Sequence, residues 1–192
     1  MPRFRAFCDA LCLASFALWL GVVIMSGIVA AVAFPTMKSL NPSLPDFAAY
    51  PGEHWTIAAG HVARRVFDLG AMLQAGCAAI ACVTLTGSAL GDPRRPRRIP
   101  FARAIALLLA VGILGYWRLS LTPTMDADLD AFWAAARAGN TESADAHKAA
   151  FNAAHPVAAR TLSFTALFVF AGLVETVRAI AVSFPWAKSR ES

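Results

Sequence analysis

Residues Ala10 to Phe34 read ALCLASFALWLGVVIMSGIVAAVAF, 25 positions without a charge. As a helix rising 1.5 Å per residue this stretch is about 37 Å long, more than the ~30 Å hydrocarbon core of a bilayer. Three further apolar blocks follow, at about residues 60–90, 101–122 and 158–184. In the second, Leu69 to Leu90 run 22 residues after Asp68 with Gln74 as the one interruption, about 33 Å of helix. Four such blocks predict an all-α fold: an integral membrane four-helix bundle forming a single transmembrane domain over residues 1–192, with helices at about 10–34, 60–90, 101–122 and 158–184.

Composition agrees. Of 192 residues, 58% are hydrophobic and 15% charged, and the mean hydropathy is +0.56. Soluble domains carry about 25% charge. Disorder, collagen and a disulfide scaffold are excluded. The four cysteines, Cys8, Cys12, Cys77 and Cys82, lie in or beside apolar blocks without CxxC spacing, which reads as reduced packing residues. Cys8 and Cys12 share a helix face at i, i+4, a weak thiol–metal signal. Ala31-Val32-Ala33 has the look of a cleavage site, but the first block is too long for the apolar segment of a signal peptide and reads as an uncleaved helix.

Between the blocks, proline and glycine punctuate the chain. Pro35 is expected to stop the first helix, and Pro42, Pro45, Pro51 and Gly52 to keep residues 36–60 mostly irregular. Gly91-Asp92-Pro93 should end the second helix and Pro123 the third. Arg103 and Arg118 bracket the third block and are expected to snorkel outward along their own stems. In residues 124–157 the spacing of Leu129, Phe132 and Trp133 predicts an amphipathic interfacial helix in the second outer loop. Gly139-Asn140 should stop it, with Thr141 as the next N-cap and Pro156 a kink or new start. Glu175 and Arg178, at i, i+3, can pair. Gly21, Gly27, Gly70 and Gly76 permit close helix contacts.

Charge sets an orientation. The sequence carries a net +5, yet Arg94, Arg95, Arg97, Arg98 and Arg103 cluster between two apolar blocks without interleaved aromatics. That pattern is topogenic and argues against nucleic acid as a partner. Placing the N-terminus, the arginine cluster and the C-terminus on one side gives it ten Lys/Arg and four Asp/Glu, a net +6. The other side nets −1. The positive side is cytoplasmic by the positive-inside rule, so both termini are inside and both long loops outside. The expected location is a bacterial-type inner (cell) membrane.

Ala17-Leu18-Trp19-Leu20-Gly21, then Ala33-Phe34-Pro35, open the pattern; Gly60-His61 with Arg65 and Phe67 starts the second helix, and Phe151-x3-His155 leads into the last. Together these residues resemble the transmembrane protein 205-like family (domain of unknown function 4149), over residues 10–180. The resemblance implies a small four-helix membrane protein and brings no catalytic residues with it. A long Pro-rich first loop and a large acidic second loop depart from the family pattern.

The outer helix ends carry the candidate chemistry. His61, Arg65 and Asp68 lie on one helix face at i, i+4, i+7, and Arg64 can reach Asp68. Arg118 and Arg160 come to the same level from the third and fourth helices. Arginines on the outside oppose the positive-inside rule and need a local reason: contact with lipid phosphate, or an outward-facing pocket. Arg65, Asp68, Arg118 and Arg160 are therefore the candidate ligand-binding residues, with Asp68 neutralising Arg64 or Arg65 and leaving Arg118 and Arg160 for an anion. The expected function is binding of a small anionic ligand, a lipid headgroup or a partner subunit at the outer face. The alternative is a redox or transport subunit in which His61 and His155 hold haem or copper. HExxH, GxSxG, Walker A and GxGxxG motifs are absent, so an enzyme is the less favoured class. The expected partners are the lipid bilayer and a membrane subunit or a second copy of the chain.

Overall fold

Leucine, alanine, valine and phenylalanine dominate the four blocks, and long runs of helix-compatible apolar residues have one way to satisfy their backbone in lipid, which is to stay helical. The computed structural model describes residues 2–90 and 101–183. It contains α1 (Pro2–Leu40), a single 3₁₀ turn (Pro45–Phe47), α2 (His54–Leu90), α3 (Phe101–Tyr116), a π turn (Trp117–Leu121), α4 (Thr122–Arg137) and α5 (Thr141–Ser183). Among the described residues there is no strand. Arg94, Arg95, Arg97 and Arg98, Pro185-Trp186 and the basic C-terminal residues lie outside the described residues.

Four helices are long and apolar enough to cross a membrane, and the chain is a multi-pass membrane protein by that measure. Each continuous helix is 37–42 residues long, about 55 Å or more, well past the ~30 Å a bilayer core needs. The prolines do not stop the helices where the sequence reading expected. Pro35 lies inside α1, which continues to Leu40; Pro156, expected as a kink or a new start, lies within one continuous α5. Pro123 is the second residue after the π turn; widened i→i+5 spacing there absorbs a residue that has no N–H to donate, so α3 runs on into α4 instead of ending. The amphipathic stretch is thus a helix that prolongs the third span.

The chain forms two units, the first from residues 1–23, 73–113 and 164–192, the second from 24–72 and 114–163. The first is built on Phe16 and Trp19, both fully buried, with Cys12, Ala81, Ala110 and Val169. Its interior also holds polar groups. Trp19 Nε1 donates to Gln74 Oε1 at 3.0 Å. Arg103, 2% exposed, donates from Nη1 to Asp9 Oδ1 at 3.1 Å and from Nη2 to Ser88 Oγ at 3.2 Å. The snorkelling expected of Arg103 does not occur: a carboxylate and a hydroxyl inside the unit offer its planar fork a better partner than the bilayer surface. Cys8, Cys12 and Cys77 are buried as expected, while Cys82 is exposed.

The second unit has an aromatic-rich core. Phe47, Tyr50, Ile57, Leu129, Phe132, Trp133, Ala136 and Ala144 are buried together, with Leu44 and Phe151 against them. The 41–53 connection is therefore folded in, not loose. His54 clasps it, accepting Leu44 N–H on Nδ1 and donating Nε2–H to the Tyr50 carbonyl, each at 3.0 Å. Gly139, at φ +73°, ends α4 with Asn140 N–H bonded to the Ala135 carbonyl and Gly139 N–H to the Ala136 carbonyl; this is a Schellman closure, which needs a left-handed residue. The N-cap of α5 is Asn140, whose Oδ1 accepts Ser143 N–H at 3.1 Å, one residue before the expected Thr141.

Candidate functional site: an arginine-lined cleft in the second unit

The lower part of the α2 segment in the second unit, His61 to Asp68, runs beside α4. A cleft of about 480 Å³ opens between them, lined by His61, Arg64, Arg65, Asp68, Asp130, Trp133, Ala134 and Arg137. Helical geometry selects the members: 61, 64, 65 and 68 recur on one face of α2, as do 130, 133, 134 and 137 on α4. The His61 ring stacks on the Trp133 indole, centroids 3.8 Å apart, and forms one wall. The Trp133 ring itself belongs to the buried core, so that wall is anchored. Its indole N–H has no hydrogen-bond acceptor among the described residues.

The charges divide into paired and unpaired. Arg64 grips Asp130 through both terminal nitrogens, Nη2 to Oδ2 at 3.2 Å, and its Nε lies 3.6 Å from Asp126. Asp68 is 3.6 Å from Arg118 Nη1. Among the described residues Arg65 and Arg137 have no carboxylate at ion-pair distance. Arg137 rests its guanidinium 5.0 Å from the Phe47 ring centroid, a cation–π contact that fixes the side chain without neutralising it. The lining thus holds three arginines against two aspartates, and the two arginines left over are the exposed ones.

Nearby polar groups hold the unit together. Tyr50 donates to Asp145 Oδ1 at 3.1 Å. Burial, then the Asp145 carboxylate beside it, pushes the Tyr50 phenol above its ordinary range. His147 Nδ1 is 3.4 Å from Asp128 Oδ1.

Against the sequence expectations, Arg65 and Asp68 line the cleft with His61. Arg118 reaches it only through Asp68, and is ion-paired where it was expected to be free. Arg160 is exposed on α5 and is not a lining residue. Asp68 holds Arg118, not Arg64 or Arg65. His155 packs on Phe151, centroids 4.8 Å apart, and His61 on Trp133, so each imidazole proposed for haem or copper is engaged with an aromatic ring of its own. Among the described residues no group of three or more His, Cys, Asp or Glu could hold a metal ion. Arg137, Asp130 and Asp126 were missed as site residues. The i, i+3, i+4 pattern that marked α4 as amphipathic could have found them, since its polar face has to meet something once its apolar face is buried.

No family model, curated protein or solved structure matches the chain.

Proposed function

We propose that this membrane protein binds a small phosphate- or carboxylate-bearing anion in the α2–α4 cleft, without chemical transformation of it. The observation that carries the reading is the pair Arg65 and Arg137: two guanidiniums line one cleft and, among the described residues, no carboxylate answers them, while neighbouring Arg64 and Arg118 are matched to aspartates. A guanidinium fork suits planar and tetrahedral oxyanions in two-point contact. The Trp133–His61 stack supplies a flat wall. The chain resembles the transmembrane protein 205-like family, and its charge distribution supports a bacterial-type inner membrane with both termini in the cytoplasm and the cleft on the opposite side.

Thermal unfolding of the purified chain in detergent tests the reading. At matched ionic strength, inorganic phosphate or glycerol phosphate should raise the melting temperature above that in chloride; saturation to 100 Kd corresponds to about 2.7 kcal/mol. The double variant Arg65→Gln/Arg137→Gln should lose the phosphate increment, measured against its own melting temperature in chloride. An equal increment in both proteins overturns the proposal.

A further inference from the structure

Resting on that reading, we infer that the anion is the headgroup of an anionic phospholipid, seated with its phosphate in the cleft and its acyl chains on the apolar strip beneath. Depth is the first argument. The uncharged stretch of α2 begins at Leu69, and Arg65 precedes it by four residues, about 6 Å. The headgroup layer of a bilayer is about 5–8 Å thick on each side. Arg65 therefore sits where lipid phosphates sit.

Continuity is the second. Leu69 is one turn from Arg65 and Met72 one turn from Asp68, on the same face of α2. Leu69 is 63% and Met72 64% exposed. Next to Arg118, on the π turn, Leu119 is 82% exposed. The Asp68–Arg118 bridge ties these two segments together at the boundary. A charged cleft thus opens directly onto an uncovered apolar strip, a surface shaped for an amphiphile. An anion arriving from water has no use for the strip.

Charge and size are the third. With the ion-pair partners beside the lining counted, Arg64, Arg65, Arg118 and Arg137 face Asp68, Asp126 and Asp130, one positive charge in excess, which a phosphodiester with one negative charge balances. A zwitterionic headgroup carries no net charge to balance it. The volume, about 480 Å³, falls in the range of about 300–1,000 Å³ typical of sites for molecules well beyond a bare phosphate.

The test uses the full chain in detergent, titrated with short-chain phosphatidylglycerol, short-chain phosphatidylcholine and glycerol phosphate, with bound ligand counted by native mass spectrometry. Phosphatidylglycerol should bind at least tenfold more tightly than either of the others. Arg65→Gln/Arg137→Gln should remove that preference, and its unfolding in chloride reports separately what the loss of the Arg137–Phe47 contact costs. Leu69→Ala/Met72→Ala should weaken phosphatidylglycerol severalfold and leave glycerol phosphate unchanged. Equal affinity for glycerol phosphate and phosphatidylglycerol overturns the lipid assignment and leaves the anion cleft standing. Equal affinity for the two lipids also overturns it. Failure of all three ligands to bind overturns the cleft reading itself.

Discussion

Arg103 illustrates how a single side chain is committed by its surroundings. It is 2% exposed, and Asp9 supplies its countercharge, while Asp9 itself is also 3.6 Å from Arg5 Nε. Removing one partner of a buried pair strands the other, at about 3–5 kcal/mol. Asp9→Ala should therefore destabilise the protein strongly in a reversible unfolding titration, and Asp9→Leu/Arg103→Met should recover most of the loss. If Asp9→Ala unfolds like the wild type, the pair is not what closes that interior. This pairing was not legible in the sequence. Arg103 stands 94 positions from Asp9, and spacing along one helix reveals only local partners. The same limit misassigned Arg64: its i+4 neighbour Asp68 is within reach in principle, yet Asp130 and Asp126 on another helix make the better fork.

At the scale of elements, close helix contact falls where an aromatic ring needs a gap. A Cβ placed on Gly172 would lie 2.5 Å from Phe16 Cε1, and Phe16 is fully buried in the first unit, so the ring has nowhere to move. Gly172→Ala should cost about 1–3 kcal/mol by overpacking, read as a lowered melting temperature, and Phe16→Leu in the same chain should relieve part of it. A wild-type melting temperature for Gly172→Ala would show that the ring is free to swing. Around Gly21, Gly27 and Gly76, by contrast, nothing lies within 4 Å of an added Cβ, so glycine content alone did not reveal the contact faces. The first two helices were legible because charge-free runs of 25 and 22 residues admit one solution in lipid, and the last two because their apolar runs are interrupted by charge only towards the ends. Their ends were not. Pro35 and Pro123 read as breakers, but a long helix can lose one hydrogen bond, or shift it through a π turn, when the turns on either side are held. The amphipathic character of α4 was legible from Leu129, Phe132 and Trp133, all now buried; that it continues α3 was not, because periodicity carries no information about what precedes it.

For the molecule as a whole, the division of charge is the strongest sequence-level signal. Reporter fusions after residue 92 and after residue 192 should both give a cytoplasmic signal, and one at residue 140 an external signal; an external signal at residue 92 would reverse the orientation. The proposed orientation would put the cleft outside, and the claim that matters most is that Arg65 and Arg137 stand ready there for an anion. Arginine modification by phenylglyoxal, followed by peptide mass spectrometry, addresses it most directly. Arg65 and Arg137 should react fastest, Arg64 more slowly through its grip on Asp130, and Arg103 not at all in the folded protein. Phosphate, or phosphatidylglycerol, should protect Arg65 and Arg137 together and leave the rate at exposed Arg160 unchanged. Modification of Arg65 and Arg137 at the same rate with and without the anion would contradict the account.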